Sequence, residues 1–283
     1  MTHMPIRGIS LHVKVIGHGY PLVLMHGGPG GDLYTLSAFK PLKDQFTLVF
    51  YDHRCNGRSM GPDVTTMTME NLTADADALR QALGFNKWAV LGHSFGGSVA
   101  LEYALRYPQN LSHLILVNSG ADYIWPSQKG PELLAQRGFS PEIVEVARRH
   151  FNGQFEPDEM FSNLMKLRNA YDPYMSLIQA LPMLIEGLQS KLRPEACIFA
   201  ETTYLQGWTV MDRLSEIKIP TLVMAGRQDF VYPEESQKEL AAAIPNARLV
   251  LIDRAGHNPH DEQKAETIKA VREFMVEVAP GSA

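Results

Sequence analysis

The chain has 283 residues, 45% hydrophobic and 20% charged, a composition typical of a soluble globular protein and a length that suits one α/β core with an inserted segment. Acidic residues outnumber basic ones, 31 to 26, and no Lys/Arg run stands out, which argues against a nucleic-acid partner. The two cysteines, Cys55 and Cys197, are too far apart to suggest a disulfide framework and lack metal-ligand spacing, so reduced thiols and a cytoplasmic location are expected.

Residues Met1 to Ser10 lack a charged start followed by an apolar stretch, so no signal peptide is expected. No segment approaches the ~20 apolar residues that span a bilayer, and no membrane partner is expected. Leu22–Met25, Thr47–Tyr51, Lys87–Leu91 and Leu114–Asn118 read as buried strands. Between them, Asn71–Leu83 sets Leu72, Ala76, Leu79 and Leu83 at helical spacing, and Ser98–Tyr107 follows the same period up to Pro108. Such alternation predicts a mostly parallel sheet flanked by helices. From about Ala121 to Gly207 the strand signal vanishes. Helical stretches Pro141–Phe151, Pro157–Asn169 and Pro173–Lys191 follow, each starting near a proline. Strands resume at Thr221–Ala225 and Arg248–Ile252, and Lys264–Val278 reads as a closing amphipathic helix. The expected layout is a core of residues 1–120 and 208–283 with a helical cap, 121–207, inserted in it.

The strongest local signal is Gly92-His93-Ser94-Phe95-Gly96, followed by Gly97, between a strand and a helix. This is the context that G-x-S-x-G requires, a sharp turn with the serine hydroxyl at its apex and no side chains at the crowded flanking positions. A serine needs a base, and in this arrangement the partners follow in the order acid, then histidine. Asp229 lies just past the strand ending at Ala225, and His257 just past the strand ending at Ile252. His257 is expected as general base and acid, with Asp229 holding its tautomer. Asp122 could orient the base instead, and Asp253 could merely cap a turn. The loop His26-Gly27-Gly28-Pro29-Gly30-Gly31 follows another strand. Its Gly28 N–H and the Phe95 N–H are expected to bind the oxyanion. It lacks the lysine of a phosphate loop. The turn Asp52–Ser59 reads as structural, and no base near Cys55 marks it as a nucleophile.

The His26–Gly30 loop, the Asp52–Ser59 turn, the Gly92–Gly97 elbow, Gly226–Asp229 and Gly256-His257 resemble the proline iminopeptidases and related esterases and lactonases of the α/β-hydrolase superfamily. The resemblance covers about residues 6–120 and 208–278 and implies the α/β-hydrolase fold with an inserted cap. Peptidases of this family usually carry Trp where this chain has Phe95, and some carry an acid where it has Phe230. Cys55 stands where a glycine is usual. Glu201 could hold a substrate ammonium, but a peptidase would need an acidic pair from among Glu186, Glu195, Glu201 and Glu234.

The expected function is therefore hydrolysis of a small ester, thioester or lactone through an acyl-serine, with an aminopeptidase as the alternative and a ligand receptor on the same fold as a third reading. Dehalogenase and epoxide-hydrolase relatives place an aspartate where Ser94 stands. Neither metal nor organic cofactor is implied. Trp125, Phe151, Tyr171, Met175 and Phe199, with Leu177 and Met183, are candidates for an apolar substrate wall in the cap. Phe230 and Glu201 are further candidate substrate contacts.

Overall fold

In a computed structural model of the chain, residues 1–61, 63–176, 178–181 and 187–277 are described. Among them eight strands form one sheet: β1 (Thr2–Ile6), β2 (Ile9–Gly17), β3 (Tyr20–Met25), β4 (Phe46–Tyr51), β5 (Trp88–His93), β6 (Leu111–Val117), β7 (Thr221–Gly226) and β8 (Ala247–Ile252). Their spatial order is β1-β2-β4-β3-β5-β6-β7-β8. The last six strands in that order run parallel, and β1 and β2 pair antiparallel at one edge.

Each parallel strand alternates its side chains between two cores. Val23, Val49, Val90, Leu116 and Val223 face one layer, where helices α1 (Met69–Ala82) and α2 (Phe95–Arg106) pack. Leu22, Leu48, Leu91, Ile115 and Leu222 face the other, against the 3-10 segment Leu33–Asp44 and the closing helix. Both faces are covered, so the strands read as continuous apolar runs. The predicted stripe Leu72, Ala76 and Leu79 is buried. Helix α1 starts earlier than its period suggests because the Thr68 side chain caps the Asn71 N–H.

Between β6 and β7 lie helices α3 (Gly130–Gln136), α4 (Pro141–His150), α5 (Glu159–Tyr171) and α6 (Pro194–Thr202). Pro173 and Tyr174 form a turn, at the start of the predicted helix Pro173–Lys191. Leu177, Met183 and Glu186, within that prediction, lie outside the described residues, as does Val278. Helix α7 (Glu234–Ala243) follows β7, and α8 (Lys264–Glu277) is the last helix among the described residues. No helix among the described residues is long and apolar enough to cross a membrane.

Candidate active site

The pairing of β3, β5, β6, β7 and β8 brings the loops beyond their carboxyl ends to one edge. Met25 pairs with Gly92, His93 with Val117, and Gly226 with Ile252. Clefts at that edge are where parallel α/β sheets hold ligands. Three distant segments meet there.

Ser94 has φ 51° and ψ −123°, a region that side chains seldom occupy. Its neighbours hold it there: the Ser94 N–H donates to the Val117 carbonyl at 3.0 Å, and its own carbonyl accepts from Ser119 Oγ at 2.8 Å and from the Gly97 N–H at 2.9 Å. A Cβ on Gly96 would collide with the Met25 carbonyl, and one on Gly97 with the Ser119 hydroxyl. The first obstacle is backbone and cannot rotate away. We expect Gly96→Ala to cost roughly 1–3 kcal/mol or more. Urea unfolding measures this directly, and an unchanged midpoint would contradict the crowding account.

The Ser94 hydroxyl lies 2.9 Å from His257 Nε2, and His257 Nδ1 lies 2.9 Å from Asp229 Oδ2. With Nδ1–H donating to the carboxylate, Nε2 is left to accept from the serine. Asp229 is fully buried, and its oxygens are otherwise engaged by donors: Asn118 Nδ2 at 2.7 Å on Oδ2 and the Val231 N–H at 2.8 Å on Oδ1. Asn118 also accepts the Gly226 N–H through Oδ1 and has φ 42°, a conformation Asn tolerates better than most residues. At the C-terminal end of α3, the Arg137 guanidinium donates to the Gln228 and Asp229 carbonyls at 2.6 and 3.1 Å. The alternatives to Asp229 lie elsewhere. Asp122 Oδ1 caps the Ile124 N–H, and Asp253 is paired with Arg227 at 2.6 Å.

Gly28, at φ 55°, and Phe95 both line the cavity that contains Ser94 and His257. Phe95 opens α2, so its amide has no carbonyl a turn earlier in the helix to bond. The Gly28 carbonyl is turned away to accept the Gly31 N–H. His26 fastens this loop: its Nδ1 bonds the Gly27 carbonyl, and its Nε2 accepts the His53 N–H, both at 3.0 Å. The Asp52–Ser59 turn adds Asn56 Oδ1 on the Gly30 N–H at 2.5 Å. Cys55 there has φ 62°, which explains the preference for glycine at that position.

The cavity holds about 200 Å³. Phe151 and Tyr171 are on its wall, as expected, but Met175 and Phe199 are not. Nor does the structure bring Phe230 or Trp125 there. Phe230 is fully buried behind Phe151 and Tyr171, with ring centroids 6.1 and 5.3 Å away, because Asp229 takes the inward-facing position at the histidine. Trp125 is half-buried under the Lys129 ammonium, 4.4 Å from its ring. Glu201 does line the cavity and is the only carboxylate among the described residues that does. Burial pushes its carboxyl well above the usual range, and the Tyr123 hydroxyl donates to it. Glu195 pairs with Arg193, and Glu234 with Arg227 and Lys238.

Glu262, absent from the sequence reading, ties the turn at Tyr174 to the histidine loop. Its Oε2 accepts the Gly256 N–H at 2.5 Å and its Oε1 the Tyr174 N–H at 2.6 Å, while the His257 N–H donates to the Tyr171 carbonyl at 2.7 Å. Burial raises the Glu262 carboxyl from 4.5 to about 7. A raised carboxyl stabilises the fold fully below its unfolded value, and that contribution is lost as pH rises through the folded one. Stability should therefore fall from about pH 5 to about pH 7, and Glu262→Gln should flatten the fall. Urea midpoints across that range check this; an equally steep decline in the variant would contradict it.

Residues 20–264 match the family described as alpha/beta hydrolase fold. A proline iminopeptidase of Xylella fastidiosa is 28% identical over 282 residues, covering 92% of this chain and 90% of that protein. A cis-3-alkyl-4-alkyloxetan-2-one decarboxylase of Shewanella oneidensis is 27% identical over 282 residues, covering 96% and 86%. Among solved structures, a thermophilic esterase from Thermogutta terrifontis superposes with a TM-score of 0.73 at 27% identity, covering 99% of each chain.

Proposed function

Because the chain belongs to the alpha/beta hydrolase fold family, we propose that it is a serine hydrolase that cleaves a small ester, thioester or lactone through an acyl-serine. The observation that carries this reading is the line of two 2.9 Å contacts from Ser94 through His257 to Asp229. In this mechanism Ser94 Oγ attacks the substrate carbonyl as His257 Nε2 takes its proton, and Asp229 stabilises the resulting imidazolium. The Gly28 and Phe95 amides receive the oxyanion. His257 then returns the proton to the leaving group. Water, deprotonated by the same imidazole, releases the acid and frees the serine. Loss of one oxyanion donor typically costs about 100- to 1,000-fold in turnover. Residues 121–207 act in this reading as a cap that covers the substrate and narrows access of water.

The relatives named proline iminopeptidase favour a second reading, release of N-terminal residues from short peptides. It needs anionic groups for an α-ammonium, and the described cavity wall offers only Glu201, whose burial opposes ionisation. The ester reading is therefore preferred. Short-chain p-nitrophenyl esters and lactones assayed beside proline and alanine arylamides decide between the two. We expect turnover of esters or lactones well above that of arylamides. Fast arylamide turnover that collapses in Glu201→Gln would overturn the preference.

A further inference from the structure

One part of the cavity wall is polar and takes no part in the chemistry at Ser94. His150, the last residue of α4, lines the cavity at 5% exposure, and its Nδ1 has no hydrogen-bond partner. The ring is stacked on Phe155, with centroids 5.1 Å apart and planes at 20°, which fixes its orientation. Phe155 packs in turn with Cys197, which sits one helical turn before Glu201 on α6. His150 and Glu201 are both buried and both line the same cavity, and a Cβ on Gly153, three residues past His150, would meet the Glu201 Cβ. A buried polar atom without a partner costs about 1–3 kcal/mol. Such atoms are few in folded proteins, and a ligand is one partner that can supply the missing bond.

We propose that His150 and Glu201 form a subsite for an uncharged hydrogen-bonding group, a hydroxyl or carboxamide, on the substrate attacked by Ser94. The inference rests on the serine hydrolase reading and narrows its substrate class. Burial holds the His150 imidazole down to about 4, so the ring is neutral near pH 7 and presents one donor and one acceptor nitrogen. Burial likewise favours the neutral form of Glu201, which the Tyr123 hydroxyl already contacts. Two uncharged groups that can each donate and accept suit a hydroxyl or amide, which does the same. A purely apolar chain would leave the imidazole nitrogen unmet. An ammonium would require Glu201 to ionise in a buried setting with no second carboxylate among the described wall residues.

The test uses matched p-nitrophenyl esters whose acyl chains end in methyl, hydroxyl or ammonium, and a parallel series of esters varied in the same way on the alcohol side. We expect kcat/KM for the hydroxyl compound to exceed that for the methyl compound by about tenfold or more in one series. His150→Leu and Glu201→Leu should each shrink that ratio, while Glu201→Gln, still uncharged and hydrogen-bonding, should keep it within about threefold. Equal rates for hydroxyl and methyl in both series, or fastest turnover of the ammonium compound, would overturn the proposal. Calorimetric titration of the same esters into Ser94→Ala reads the subsite without turnover. Hydroxyl preference in binding without any hydrolysis by the native enzyme would sink the hydrolase reading alone. Hydrolysis without preference would sink the subsite alone.

Discussion

Ser94→Ala lowers kcat by about a million-fold in this account, while the unfolding free energy from urea titration changes by no more than about 1 kcal/mol. The size follows from what the hydroxyl does. In the proposed mechanism it is the atom that forms the acyl bond, and it sits 2.9 Å from the only base aligned with it among the described residues. Without it, the oxyanion donors and the cavity can only assist attack by water, which leaves a residual rate about 1,000- to 10,000-fold above the uncatalysed one. The fold should persist because the elbow is held by backbone contacts at Val117 and Gly97 and by Ser119 on the Ser94 carbonyl, none of which involves the Ser94 side chain. Steady-state kinetics on the best ester, alongside urea unfolding, measures both halves. A variant that keeps more than about a tenth of the native rate would remove Ser94 from the mechanism.

Asp229→Asn should cost about ten-thousand-fold in kcat with little change in KM. Asp229 Oδ2 accepts from both His257 Nδ1 and Asn118 Nδ2, and Oδ1 accepts from the Val231 N–H. An asparagine has one oxygen for these two positions. If its NH2 group faces His257, Nδ1 must become the acceptor and Nε2 carries the proton, so the ring can no longer take one from Ser94. If the NH2 group faces Val231 instead, two donors meet and the buried loop is strained. Because the two residues act as one unit, adding Asp229→Asn to Ser94→Ala should lower the rate no further. Multiplied losses in the double variant would mean that Asp229 acts on a separate step.

Much of this arrangement was legible in the sequence because its signals are local. The elbow is written in Gly92, Gly96 and Gly97, each of which lacks a side chain where a neighbouring atom already stands. Asp229 and His257 could be picked out because each follows a short apolar strand, and parallel strands deliver their carboxyl ends to a single edge. The residues missed are those whose role exists only through distant contacts. Asn118 looks like the end of a strand until it meets Asp229, 111 residues later. Glu262 looks like a surface residue of a short helical turn until Tyr174 and Gly256 close over it. The resemblance to related peptidases places Phe230 at the substrate, but the chain turns Asp229 towards His257 and packs Phe230 behind Phe151 and Tyr171. Strands β1 and β2 are not legible as strands for a different reason: their outer residues are exposed, so neither gives the continuous apolar run of a strand covered on both faces.

The central claim is that Ser94 is an activated nucleophile. A fluorophosphonate probe reacts with a serine only when a neighbouring base and an oxyanion site assist the attack. Incubation with such a probe, followed by peptide mass mapping, should find one stoichiometric adduct on Ser94, strongly slowed in His257→Ala. A folded, native protein that takes up no probe, or that carries the adduct on another residue, would contradict the account.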